Sequence, residues 1–251
     1  MRKKYSLLIL MLLIFLRCDK KEELDCCIFP EQFTVTLNFT HHWNGLKIMP
    51  QDFNELKFTN ENGERLSIER LRYLVSNISL INGKNYHLID VGENSGTSIT
   101  IPELTNESYA LSFRFGFSDE DNTDGTYQDL NSVSFSVPGV LGGGYHFMQF
   151  DGKYIDNNNE ATGFNYHTIK GVDTTDPDNL KFEDTSFEVN LGTVVVANTT
   201  EIEIKMNLAE WFKNPNTWNL NELNSILMPN FEAQKMMREN GGSVFSLGVV
   251  N

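Results

Sequence analysis

The chain is predicted to be all-β, an antiparallel β-sandwich with short C-terminal helices, and three observations predict it. Phe33 to His41 alternates strictly, with Phe33, Val35, Leu37, Phe39 and His41 on one face, the period of a half-buried strand. Further short β-rich runs follow, punctuated by turn signals at Asn62-Gly63, Asn82-Gly83, Asp124-Gly125 and Asp151-Gly152. Helical patterns are confined to the end. Many short strands with few helices read as two packed sheets.

In order, the strand candidates after the first are Leu56–Thr59, Ser67–Leu80, Tyr86–Val91, Thr97–Ile101, Ser108–Phe117, Tyr145–Phe150, Phe164–Ile169, Phe182–Val189, Val194–Ala197 and Glu201–Asn207. Leu208 to Lys213 reads as a short helix stopped by Pro215, Leu220 to Leu227 as another, and Phe231 to Asn240 as a third ended by Gly241-Gly242. Ser243 to Val250 returns to a strand pattern. There is no internal repeat.

The first residues describe export. Arg2, Lys3 and Lys4 precede an apolar run, Leu7 to Leu16, that is too short to span a bilayer. The run ends at Arg17-Cys18, which resembles a bacterial lipoprotein signal with Cys18 as the lipidated residue, although Arg17 stands where a small residue is usual. Residues 1–17 are read as this signal, 18–30 as a charged tether, and 31–251 as one folded domain. Lys21-Glu22-Glu23 just after Cys18 resembles a surface-export signal of lipoproteins. The expectation is a lipid-anchored protein of the outer membrane, on its periplasmic or cell-surface side. Adjacent Cys26 and Cys27 cannot easily reach disulfide geometry with each other, and are read as linker thiols or a soft-metal site.

Losing residues 1–17 removes four basic groups and takes the formal charge from −14 to −18. So acidic a body is repelled by nucleic acid and by anionic lipid surfaces, so membrane contact is expected only through the anchor. Serine-hydrolase, P-loop and dinucleotide fingerprints are absent, and no enzyme activity is expected, with a redox enzyme using the histidine site ranked last among the readings.

The chemistry concentrates in histidines. The chain has five, and two of them, His146 and His167, flank the turn-rich run Asp156-Asn157-Asn158-Asn159 at matching distances. An antiparallel hairpin folded about the midpoint of Asp156 and Asn157 sets them directly opposite, with Cβ atoms about 5 Å apart, close enough to share a metal ion. His41, the last inward position of the first strand, is placed as a third ligand, and Met148 as a possible additional thioether. Asp151 and Asp173 are candidate acceptors for an imidazole N–H. His42 is expected to face solvent and His87 to be structural. Asp119, Asp121 and Asp124 are oxygen ligands in type, but without the spacing of a calcium loop.

Several blocks together resemble the MbnP-like family. They are Phe39-Thr-His41 with Asn44-Gly45, Leu66 to Leu80, Gly144-Tyr-His-Phe-Met-Gln-Phe-Asp-Gly152, Phe164-Asn-Tyr-His167, Leu208-Ala-Glu-Trp-Phe212 and Gly242-Ser-Val-Phe-Ser-Leu247. The resemblance implies an exported β-sandwich with a mononuclear copper ion, Cu(I) or Cu(II), held by histidines. It also implies a di-haem peroxidase-like partner, which in the best-known members oxidises a tryptophan just before the Gly-Tyr block to kynurenine. Here Val137-Pro-Gly-Val-Leu-Gly-Gly-Gly144 holds no tryptophan, so that modification is not expected.

The expected function is therefore copper capture or handling at the cell envelope. Imidazole also suits zinc, and the residues alone leave that choice open. The alternative is a surface adhesion module without a metal role, binding glycans or proteins through aromatics such as Trp43 and Tyr127.

Overall fold

The computed structural model describes residues 31–251. The signal segment, the tether, Cys18, Cys26 and Cys27 lie outside the described residues. No helix among those described is long and apolar enough to cross a membrane.

The first half supplies β1 (Gln32–Trp43), β2 (Leu46–Lys47), β3 (Phe58–Thr59), β4 (Arg65–Leu66), β5 (Arg70–Ser76), β6 (Tyr86–Asp90), β7 (Ser98–Thr105) and β8 (Ser108–Phe115). A short helix, α1 (Gln128–Ser132), leads to β9 (Met148–Ile155), β10 (Ala161–Thr168), β11 (Gly171–Asp173) and β12 (Lys181–Glu183). Then come β13 (Phe187–Val195), β14 (Thr200–Asn207), α2 (Phe231–Gly241) and β15 (Phe245–Val250).

Five strands form one sheet in the order β15-β14-β1-β2, with β7 also on β1. Eight form the other, β13-β8-β5-β9-β4-β3, with β10 on β9 and β6 on β5. The alternation in β1 works as expected for Val35, Leu37, Phe39 and His41, which are buried; Phe33 is only half-buried, and the buried face runs on past His41 to Trp43. They face the larger sheet, where Phe39 packs edge-on against Tyr73 of β5 and Phe113 of β8. Phe245 of β15 closes the same layer against Phe113 and Phe115. The sandwich is not wholly antiparallel, because β1 and β14 run parallel from Val35↔Thr200 to His42↔Asn207.

The C-terminal region caps the core. Leu208–Phe212 is a 3-10 helix that buries Trp211 and Phe212 beside Tyr166 of β10. Leu220 to Leu227, expected to be helical, makes turns instead, fastened by the Trp218 indole N–H to Leu223 O at 2.8 Å. α2 starts where expected, with Asn230 as its N-cap accepting from Ala233 N. Its Gln234 is fully buried, donating to His167 O at 2.9 Å and accepting from Ile169 N at 2.9 Å. That side chain fixes the end of β10.

Asp151-Gly152, read as a turn, lies inside β9 opposite Phe164 and Asn165. A Cβ on Gly152 would stand 2.1 Å from Ser67 O, so the glycine marks a close backbone approach rather than a bend.

Candidate metal centre

The site lies on the outer face of the larger sheet. Strand alternation in β9 and β10 turns Met148, Phe150, Tyr166 and Thr168 inward, where all are buried. Gln149, Asp151, Asn165 and His167 therefore share the other face, in the register His167↔Gln149 and Asn165↔Asp151. Arg70 and Arg72 of β5 continue it, opposite Asp151 and Gln149.

This register corrects the predicted hairpin. The connection is five residues long, from Asp156 to Glu160, so the pairing centres on Asn158 and His167 faces Gln149 instead of His146. The cause is the loop's own chemistry. Asp156 Oδ1 accepts from Asn158 N and Glu160 N, and Asn159 takes a left-handed φ of 64°.

His146 nevertheless reaches His167 by another route. It precedes β9, in a segment that crosses the outer face after α1. The rings stand 5.2 Å apart between centres, at 83° to each other. With metal–nitrogen bonds of ~2 Å, each imidazole centre lies roughly 3 Å from the ion, so two rings on one tetrahedral centre are about 5 Å apart. The observed spacing fits.

The protons fit as well. His146 Nδ1 is 2.9 Å from Phe135 O, and a carbonyl only accepts, so Nδ1 carries the hydrogen. Burial pushes the ring down to about 4, against the opposing pull of that hydrogen bond, so His146 is neutral near pH 7. Its Nε2 is then a bare lone pair, buried and without a hydrogen-bond partner. His167 Nε2 donates to Asp151 Oδ1 at 2.7 Å, which leaves Nδ1 as the nitrogen with a lone pair. Burial alone would raise the Asp151 carboxyl. The hydrogen bonds from His167 and Asn165, with the charge of Arg70, hold it below the usual range instead. An orphaned imidazole nitrogen on a ring packed beside a second, carboxylate-oriented imidazole is a donor set that suits copper or zinc.

The larger predicted set does not converge. Among the described residues, no three His, Cys, Asp or Glu side chains gather as a metal-binding group. His41 faces the sandwich interior, its Nε2 3.0 Å from Tyr73 Oη, with the larger sheet between it and the histidine pair. Met148 sits across the same sheet in the hydrophobic core. Asp173 binds Thr175 of its own turn rather than an imidazole.

The remaining candidates are absorbed locally. His42 is covered on the opposite face of β1, bonded to Thr40 Oγ1 at 2.9 Å, rather than free in solvent. Asp119 pairs with Lys170, Asp121 with Lys84, and Asp124 accepts from Gly144 N, so the acidic loop is dispersed. Trp43 is buried, its indole N–H on Thr59 O, and Tyr127 is stacked on Phe117. Neither is presented for glycan stacking.

Sequence reasoning missed Gln149, Arg72 and the Phe135 carbonyl. The signal available for Gln149 was its polar position between Met148 and Phe150, in step with Asp151.

The MbnP family model matches residues 32–229, most of the chain. The chain belongs to the MbnP family. Among solved structures, this MbnP-family chain is similar to MbnP from Methylosinus trichosporium, at 13% identity and a TM-score of 0.48. The alignment covers 87% of this chain and 99% of that one. Comparison with curated protein sequences finds no match.

Proposed function

We propose that this protein binds one copper ion between His146 Nε2 and His167 Nδ1, and captures or carries copper at the cell envelope without catalysing a reaction. The observation that carries the reading is the bare, buried Nε2 of His146, on a ring whose centre is 5.2 Å from a second imidazole. Leaving a buried polar atom unpartnered costs about 1–3 kcal/mol, a cost that a bound metal ion removes. Family membership supports copper over zinc as the cargo, because the resemblance implies a copper ion held by histidines. His167 is the partly open side of the pair, its side chain 15% exposed, so metal reaches the site past it.

In this reading Cys18 carries the lipid that holds the domain at the outer membrane. A di-haem peroxidase-like protein is the partner that the family suggests.

The test is an anaerobic copper titration of the metal-free protein, with zinc run in parallel. One copper per chain is expected, lost in both His146→Ala and His167→Ala while the fold persists, with His41→Gln retaining it. Equal copper uptake by the wild type and the double variant His146→Ala/His167→Ala overturns the reading.

A further inference from the structure

We infer that Gln149 is a positioning residue for the metal, acting through the backbone strap that sets the proton on His146. The inference rests on the proposed function, since it concerns the same two imidazoles.

Three consecutive carbonyls of the strap are each taken by one side chain beneath it. Arg72 Nη1 donates to Val133 O at 3.0 Å, Gln149 Nε2 to Ser134 O at 3.1 Å, and His146 Nδ1 to Phe135 O at 2.9 Å. Gln149 is the centre of this row. It is 4% exposed and lies directly opposite His167. Its Oε1 accepts from Arg72 Nε at 3.1 Å and from Nη2, which fixes the amide so that its N–H points at the strap. Ser134 is held at a φ of 58°, a left-handed conformation that costs a non-glycine residue about 1 kcal/mol or more. The main chain helps to hold it, since Phe135 N donates to Leu130 O at 3.1 Å and Phe135 O also accepts from His146 N at 2.9 Å, and Gln149 is the side chain that bonds Ser134 itself.

The consequence is chemical. A neutral imidazole has two tautomers of similar free energy, so one hydrogen bond decides which nitrogen is bare. With Phe135 O in place, the hydrogen stays on Nδ1 and Nε2 is left as a buried lone pair. If the strap shifts, Nε2–H becomes populated and the nitrogen aimed at the metal is blocked. A buried glutamine that only stitched a loop to a sheet would change stability on removal, but not the tautomer.

The experiment uses the metal-free protein labelled with nitrogen-15 in its imidazoles, with copper as the probe. Wild type, Gln149→Glu and Gln149→Met are compared by NMR of His146 and by copper titration. The glutamate keeps an acceptor for Arg72 but cannot donate to Ser134 O, so it isolates the amide. Expected are a wild-type His146 protonated at Nδ1, a shift toward Nε2–H in both variants, and copper binding weakened about tenfold or more, as when an orienting partner is lost. Should Gln149→Met fail to fold, Gln149→Glu alone decides. An unchanged His146 tautomer together with copper affinity within about twofold of wild type overturns the inference. A wild type that ignores copper sinks the proposed function instead, and the tautomer comparison then judges Gln149 by itself.

Discussion

His41 Nε2 stands 3.0 Å from Tyr73 Oη, a hydrogen bond that joins the two sheets through the middle of the core. Burial, followed by the charges of His42 and Lys47, pushes His41 down to about 3, and burial holds the Tyr73 hydroxyl well above its ordinary range. Both rings are therefore neutral in the folded protein at pH 7. Tyr73 keeps its hydrogen for the imidazole.

That pair predicts an acid sensitivity. His41 has a folded value below its unfolded value of 6.5, so its contribution is complete above pH 6.5 and is lost as pH falls toward 3. The full span amounts to something on the order of 5 kcal/mol. Urea midpoints of the metal-free protein, taken from about pH 7.5 to about pH 4.5, are expected to fall more steeply for wild type than for His41→Gln. Parallel slopes would show that His41 is not buried as a neutral ring.

Asp151 orients His167, and the substitution Asp151→Asn tests that role. The amide keeps the volume and an acceptor oxygen but loses the charge that holds the His167 proton on Nε2. Copper affinity is expected to fall about 10- to 100-fold, with a smaller change in unfolding temperature. Titration by competition with a chelator measures it. Retained affinity would mean that His167 is oriented by its backbone alone.

Gln234 ties α2 to the end of β10 through three bonds, to His167 O, Leu227 O and Ile169 N. Gln234→Leu fits the space but leaves those buried backbone groups without partners. A loss of about 3 kcal/mol in urea unfolding is expected, at about 1–3 kcal/mol per group with partial relaxation. A loss below about 0.5 kcal/mol would show that water replaces the amide.

What was legible in the sequence follows from periodicity. The alternation in β1 fixed its inner face correctly because each inward side chain meets an apolar partner. The same alternation could not report that His41 and the His146/His167 pair lie on opposite sides of a sheet, since that depends on which sheet each strand joins. The hairpin register was set by Asp156 and Asn159 within the loop, and a count of residues about a midpoint is blind to that. The two histidines meet all the same, because a segment outside any regular strand carries His146 over the face where His167 points. His146 Nδ1 finds its partner in a main-chain carbonyl, that of Phe135, which any residue type supplies.

Gly152 is the last case, a position where sequence and structure give opposite meanings. Read with Asp151 it signals a turn, where a positive φ would cost alanine about 1–2 kcal/mol. In the sheet its missing side chain lets Ser67 and Lys153 pair closely, through Ser67 N to Lys153 O at 2.7 Å and Lys153 N to Ser67 Oγ at 3.0 Å. A methyl group there would meet Ser67 O at 2.1 Å and the Phe164 ring at 2.7 Å, and the backbone atom cannot rotate away. Gly152→Ala is therefore expected to cost about 3 kcal/mol, the upper range for overpacking, and to loosen Asp151 next to it. Thermal unfolding reads the first effect and copper titration the second. A variant as stable as wild type would show that residue 152 does not approach the Ser67 backbone so closely.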